Sequence, residues 1–128
     1  MSYSTSSHEV SEGNSYVCTM TLLDEAGDPV ASAALDTITL TLYDRDTREV
    51  INTRDGQDVF DTNGGTMHAT SGLFTLLLEP DDLPIVTTRK SIEVHVAHVR
   101  FAWTDGTDAK AVSHEFELEV RNIRAFAL

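Results

Sequence analysis

SIEVHVAHVRFAWT, residues 91–104, is the longest run of β-forming residues in the chain and contains its single tryptophan. In the first half of this stretch apolar residues occupy alternate positions from Ile92 to Val96, and in the second half they occupy alternate positions from Val99 to Trp103. Alternation with a period of two predicts a strand with one apolar face. Because the apolar phase slips by one residue near Ala97, we expect a long central strand that either contains a β-bulge or bends from one sheet into another.

The remaining strand signals are short and are separated by turn residues. Residues 37–43, TITLTLY, give the clearest signal, with Ile38, Leu40 and Leu42 facing inward and threonines facing outward. Further strands are predicted at residues 16–23, 48–52, 73–78 and 113–123. Residues 30–35 are predicted as a weak connector or an edge strand, residues 57–61 as a short helix or loop, and residues 105–106 as a hairpin turn. About seven short strands and no helical period predict an all-β, Ig-like antiparallel β-sandwich, without the Cys–Trp–Cys pattern of antibody domains.

Length and composition predict one domain with two extended ends. The chain has 128 residues, which is enough for a single domain with its own core. Residues 1–13 are polar, rich in serine and threonine and without a period, so we expect a flexible N-terminal arm. The sandwich is predicted to occupy residues 14–123, and residues 124–128 are predicted to leave the sheet as a C-terminal tail.

Charge and the single cysteine exclude several classes of protein. The chain has 21 acidic and 9 basic residues and a formal net charge of −12, so its surface repels phosphate backbones and we expect no direct contact with nucleic acid. No apolar run reaches the length of a membrane span, and the first residues, MSYSTSSHEV, lack the basic and apolar regions of a signal peptide. Cys18 cannot form an internal disulfide, and its place in an apolar alternation predicts a buried thiol.

Metal-binding patterns are weak. The chain contains five histidines, and His95, His98 and His114 would cluster across a hairpin only if a bulge placed the first two on one face. The acidic loops at residues 24–28, 55–61 and 105–108 could gather oxygen ligands for Ca²⁺, but none has the spacing of an EF-hand. The interpretation that we adopt is histidines on sheet faces and solvated carboxylates.

Catalytic motifs are absent from the sequence. It contains no G-x-S-x-G elbow and no glycine-rich phosphate loop. The series Glu115, Glu117 and Glu119 is typical of the charged outer face of a strand rather than of paired catalytic carboxylates. We therefore predict a protein that is not an enzyme, with no catalytic residues, no bound metal and no cofactor.

Apolar residues on outer faces and on the two ends are the candidates for a protein–protein interface. Leu73, Leu77 and Val17 lie opposite the inward set of their strands, so they are expected on the surface unless loops or a second sheet cover them. The full set of interface candidates is Tyr3, Val10, Leu73, Leu77, Arg124, Phe126 and Leu128. An uncovered sheet edge would also allow a partner to add a strand.

Several segments taken together resemble small Ig-like virion proteins of tailed bacteriophages. They are TMTLLDEAGDPV (19–30), DTITLTLYDRDTREVINTRDGQDVF (36–60), NGG (63–65), SGLFTLLLEPDD (71–82) and SIEVHVAHVRFAWTDGTDAKAVSHEFELEVRN (91–122). Their plan is similar to that of the Ig-like N-terminal domain of phage baseplate upper proteins. The shared features are a D-x-x-G-x-P opening turn, a G-x-F-x-L-x-L middle strand and a closing hairpin that ends in F-x-L-x-V.

The resemblance implies a structural part of a virion, made in the cytoplasm of the host bacterium and present in many copies of a symmetric assembly. Its partners would be capsid, portal or adaptor, or tail subunits, and its place would be a head decoration, a head–tail junction or collar, or a tail accessory. The chain differs from the baseplate proteins in having one domain and no receptor-binding extension. The alternative is a small carbohydrate- or host-surface-binding module, in which Trp103, Tyr43 and Tyr3 would stack on sugars.

Overall fold

The computed structural model describes residues 2–87 and 90–123, and the side chains of these residues from Ser4 onward. Within these ranges the chain forms eight strands and two short 3₁₀ turns, the turns at Ser32–Ala34 and Pro80–Asp82. The strands are β1 (Ser2–Ser11), β2 (Tyr16–Thr21), β3 (Leu35–Asp44), β4 (Gln57–Asp58), β5 (Gly65–Met67), β6 (Leu73–Leu78), β7 (Ile92–Asp105) and β8 (Asp108–Arg121).

The strands form two sheets, which confirms the predicted all-β, Ig-like sandwich. The larger sheet has the order β1-β8-β7-β3-β4, and the smaller has the order β2-β6-β5. Neighbouring strands run antiparallel except for β1 and β8, which are parallel. The larger sheet is therefore mixed, with the edge strand β1 parallel to its neighbour β8 and the other pairs antiparallel.

The core lies between the inner faces of the two sheets. The predicted inward residues of β3 are fully buried, and so are Phe74, Leu76 and Leu78 of β6. Phe74 meets Phe101 of β7 edge to face, with the ring centroids 5.2 Å apart. Each large side chain buried in this way contributes about 1.5–3 kcal/mol, so the sandwich depends on the contact between β6 and the centre of β7.

The long strand β7 differs from the prediction. It pairs residue by residue with β8 from Ile92 to Asp105, and no bulge interrupts the ladder near Ala97. The one irregularity in its pairing with β3 lies on β3, between Leu35 and Thr37. The predicted bulge and the predicted crossing between sheets are both wrong: the strand keeps its phase, and polar residues face inward in its first half.

The N-terminal segment also differs from the prediction. Residues expected to form a flexible arm form β1, which pairs with Val112 to Arg121 of β8 over its whole length. Val10 is buried opposite Val120, and the backbone of Glu12 donates to the carbonyl of Arg121. Composition predicts disorder for an isolated polar segment, but here the backbone of the neighbouring strand supplies the hydrogen bonds.

Smaller elements were predicted less well than the long strands. Residues 48–52 do not form a return strand and make a single bridge, between Tyr43 and Val50. The passage at 57–61 contains the two-residue strand β4, and the connector at 30–35 contains a 3₁₀ turn. Gly65 allows the chain to pass close to Val59, because a Cβ at position 65 would lie 1.9 Å from the Val59 carbonyl oxygen. The predicted hairpin at 105–106 is present.

Candidate functional site

The outer face of the smaller sheet carries an apolar patch, which we call the outer patch: Val17, Leu73 and Leu77. Their exposed fractions are 51%, 39% and 39%. Val17 lies directly opposite Leu77 on the neighbouring strand, and the paired threonines Thr19 and Thr75 separate this pair from Leu73. Alternation explains the exposure, because the intervening residues of β2 and β6 fill the core. Among the residues that the structure describes, neither loops nor the second sheet cover these three side chains.

The other predicted interface residues do not join this patch. Val10 is 6% exposed and belongs to the core, so its prediction as a surface contact is wrong. The backbone of Tyr3 pairs with Ser113 in the larger sheet, and its side chain lies outside the described residues. Arg124, Phe126 and Leu128 also lie outside the described residues. The outer patch therefore rests on β2 and β6 alone.

Trp103 borders an open groove but does not offer a stacking surface. The groove has a volume of about 760 Å³ and is lined by Trp103, Arg100, Asp36 and Lys110, among others. Trp103 itself is only 7% exposed and packs in the core. Lys110 on the rim is held by Glu25 at 2.7 Å. A sugar-binding tryptophan must present its ring face, so the condition that would favour the carbohydrate alternative is not met here.

A chain of hydrogen bonds joins β1 to both sheets. Ser6 Oγ lies 3.0 Å from Nε2 of His8 and 3.0 Å from Nε2 of His114. The Nδ1 atom of His8 lies 2.8 Å from the Tyr16 hydroxyl, and the Nδ1 atom of His114 lies 2.6 Å from Ser4 Oγ. Burial lowers the pKa of both histidines, and for His114 the neighbouring His8 lowers the pKa further. Neutral rings can each donate once and accept once, so the chain satisfies polar groups at the sandwich edge.

Arg54 and Asp82 form a buried ion pair that the sequence analysis missed. Arg54 donates from Nε and Nη2 to the two carboxylate oxygens, at 2.7 and 3.0 Å. Asp82 also accepts from Asn52 and from the Glu79 backbone N–H. Because the pair is bidentate and its oxygens have further donors, both charges are compensated without water. Its place at the Pro80–Asp82 turn indicates a structural role in holding this loop.

A second buried polar group lies on the inner face of the larger sheet: Asp44, Glu93 and His95, which we call the Asp–Glu–His cluster. Asp44 lies opposite His95 in register, and Glu93 is two residues before His95 on the same face. The three residues are at most 1% exposed. His95 Nε2 lies 2.8 Å from Glu93 Oε1, and the Glu93 carboxylate also accepts the backbone N–H groups of Val86 and Thr87.

These hydrogen bonds define the electrostatics of the cluster. Burial alone would raise the pKa of Glu93, but the hydrogen bonds from Val86, His95 and Thr87 together outweigh burial and lower it. His95 Nδ1 has no hydrogen-bond partner, and among the residues that the structure describes it is the one buried side-chain nitrogen or oxygen atom in this condition. Leaving such an atom unpaired costs about 1–3 kcal/mol, so this position requires an explanation.

The predicted histidine group across the hairpin is not formed. His98 lies on the outer face of the larger sheet, where its Nδ1 contacts Glu115 at 3.1 Å. His114 faces inward but lies opposite Val99, four positions along β7 from His95. Within the described ranges, the Asp–Glu–His cluster is the one place where three or more His, Cys, Asp or Glu side chains converge, so none of the three acidic loops gathers three such side chains.

Other predicted features have ordinary structural roles. Glu115 and Glu117 lie on the outer face of β8, and Glu117 lies 3.4 Å from Arg45. Cys18 is fully buried, and burial raises the pKa of its thiol to about 12, so it is protonated and unreactive at neutral pH. The part of the chain that the structure covers contains no helix with the length and apolar character needed to cross a membrane.

Comparisons with known proteins add little to the geometry. No protein-family model matches the chain, and no curated protein matches it. Among solved structures, the crystal structure of the titin M3 domain is similar, with a TM-score of 0.35 and 13% sequence identity, over 90% of this chain and 88% of that chain. The assignment of the sandwich therefore rests on the strand order and pairing described above.

Proposed function

We propose that this chain is a non-enzymatic structural component of a tailed-phage virion that acts through contacts with other virion proteins. The observation that carries the proposal is the outer patch, in which three apolar side chains remain exposed on neighbouring strands while the inner face of the same sheet is filled. Exposed apolar groups of this kind are typical of protein interaction sites. The sequence resemblance to Ig-like virion proteins supplies the kind of assembly.

The chemistry of the surface favours a weak contact repeated many times. Three partly exposed side chains can bury only a small area against a partner protein, so a single contact through the outer patch is weak. In a symmetric particle many such contacts act together, and multivalency raises the overall affinity without any new interaction. The net charge of −12 favours a neighbouring subunit with a basic surface. The partner that we propose is therefore a capsid, portal, adaptor or tail subunit with an apolar site in a basic surrounding.

The first test is whether the chain is present in particles. Mass spectrometry of density-purified virions from the strain that encodes the chain should find it in a fixed ratio to the major structural protein. Its absence from purified particles, with the protein present in the cell lysate, would reject the virion proposal.

The second test separates the outer patch from the rest of the surface. Leu77→Glu places a charge in the patch, and Ile92→Glu is the matched control because Ile92 is 42% exposed on the other sheet. Both variants should fold with the wild-type circular dichroism spectrum. Incorporation of Leu77→Glu should fall by about tenfold, which corresponds to a loss of about 1.4 kcal/mol, while the control incorporates normally. Equal incorporation of the two variants would contradict a role for the patch.

A further inference from the structure

The Asp–Glu–His cluster places three side chains that can bind a metal ion inside the apolar core. One ligand atom from each of Asp44, Glu93 and His95 lies within 4.8 Å of the other two. Charged side chains are rarely fully buried unless they are paired or bind a metal. The surrounding inner face is apolar, since Leu118 and Val120 are the residues of β8 opposite His95 and Glu93.

The hydrogen bond to Glu93 fixes which ring nitrogen of a neutral His95 carries the proton. Because a carboxylate can only accept, the Nε2 of His95 must carry the proton that it shares with Glu93. In the neutral ring Nδ1 then has a free lone pair, and this atom has no partner among the described residues. A histidine that donates one ring N–H to a carboxylate and keeps the other nitrogen free has the arrangement found in carboxylate–histidine–metal groups.

Asp44 can supply a second ligand without losing its present role. Its Oδ1 accepts the backbone N–H of Asp46 and its Oδ2 accepts the hydroxyl of Thr47, so each oxygen keeps a lone pair. No ion pair among the described residues includes Asp44, and the partner of Glu93 is His95. Lys90 is near enough for both carboxylates to raise its pKa, but it bonds to Asp46 instead. The cluster therefore lacks a directly bound cation.

We propose that Asp44, Glu93 and His95 form a binding site for a divalent transition-metal ion, with Zn²⁺ as the best match. Asp44 and His95 Nδ1 are its ligands, and Glu93 orients the imidazole and neutralises the ion. Mixed nitrogen and oxygen donors suit Zn²⁺ rather than Ca²⁺ or Mg²⁺.

The competing explanations are a buried water on Nδ1 and a protonated His95 that faces both carboxylates. Isothermal titration calorimetry of the full chain with Zn²⁺, and separately with Mg²⁺, measures metal binding. Only the metal site predicts saturable binding of Zn²⁺. ¹⁵N NMR of the histidine rings provides an independent readout, because Zn²⁺ on Nδ1 shifts the resonance of that atom and leaves Nε2 protonated.

The variants are His95→Gln, Asp44→Asn and the control His98→Gln. Asp44→Asn keeps a side-chain oxygen for the turn and removes the charge, and His98→Gln removes a histidine that also contacts a glutamate but faces solvent. Wild type and the control should bind one Zn²⁺ per chain with equal affinity, and none should bind Mg²⁺. Affinity should fall at least about tenfold in Asp44→Asn, and His95→Gln should not bind.

The proposal is overturned if the wild-type chain does not bind Zn²⁺, if Asp44→Asn binds as tightly as wild type, or if Zn²⁺ leaves the Nδ1 resonance of His95 unchanged. If His95→Gln does not fold, the comparison of Asp44→Asn with His98→Gln and the NMR measurement on the wild type still decide the question.

Discussion

The two halves of β7 share one sheet and one uninterrupted register with β8, yet they place polar side chains on opposite faces. From Val99 to Trp103 the inward positions are apolar and buried, as in an ordinary sandwich strand. In the first half the inward positions are Glu93 and His95, and Ile92 is exposed on the outer face. A period of two therefore identifies the strand but does not identify the face that is buried.

The neighbouring strand β8 shows the reverse arrangement. Its inward residues are apolar beside the polar half of β7, and His114 lies beside the apolar half, opposite Val99. Apolar residues therefore lie beside Glu93 and His114 on the facing strand, and the hydrogen-bond partners of these two side chains come from other residues that lie close in space. Glu93 finds them in the backbone of residues 86–87 and in His95, and His114 finds them in Ser4 and Ser6.

The largest effect is expected in the apolar half. Phe101→Ala should lower the free energy of unfolding by about 3–5 kcal/mol, because it removes a fully buried ring and its edge-to-face contact with Phe74. Urea unfolding followed by circular dichroism measures this loss. A loss below about 1 kcal/mol would mean that the centre of β7 is not packed as described.

A smaller loss is expected in the polar half. Glu93→Leu leaves the buried His95 Nε2 without its acceptor, whereas the backbone N–H groups of the partly exposed Val86 and Thr87 can bond to water instead. The free energy of unfolding should therefore fall by about 1–3 kcal/mol. Glu93→Gln retains one carbonyl oxygen and should lose less. If Glu93→Leu proved as stable as wild type in the same urea experiment, the buried hydrogen bonds would not hold this half of the strand in place.

The pH dependence distinguishes the two halves further. Because burial lowers the pKa of His114 below its usual 6.5, the unfolded chain binds a proton more readily than the folded chain as the pH falls. This contribution to stability is complete above pH 6.5 and is lost as the pH falls toward the folded pKa. Unfolding by urea between pH 7.5 and pH 5 should show a shallower decline in His114→Asn than in wild type. Parallel slopes would contradict this assignment.

The smallest effect is expected on the outer face of the polar half. Ile92→Thr replaces a side chain that is 42% exposed with another β-branched residue, so stability should change by no more than about 0.5 kcal/mol. The same unfolding assay makes this variant the control for Phe101→Ala. A loss of several kcal/mol would show that Ile92 is covered, and the contrast between the faces would then fail.

The sequence predicted the fold well where one rule decides the outcome. Ile38, Leu40 and Leu42 alternate with threonine and face the core as expected, and Asp105-Gly106 forms the hairpin. The prediction failed for β7 because apolar residues were assumed to face inward, whereas tertiary hydrogen bonds keep Glu93 inside. It failed for β1 because composition carries no information about a distant strand that supplies backbone partners.

The candidate sites were predicted only in part. The exposure of Leu73 and Leu77 follows from alternation with a filled inner face, so it could be read from β6 alone. Neither the Asp–Glu–His cluster nor the Arg54–Asp82 pair has a sequence signature. Asp44 and His95 are 51 positions apart along the chain and meet only through the β3–β7 register. Such a meeting depends on strand order, which no local pattern encodes.

The parallel pairing of β1 with β8 has a consequence for the order of folding. Ser2 lies opposite Val112, so the two partners are separated by almost the whole chain. During synthesis β1 is made well before β8 and must wait for it, and contacts between such distant segments are slow to form. Until then its backbone is free to pair elsewhere, including with the final strand of a second copy, and exchange of this segment between copies would conserve every hydrogen bond of the ladder.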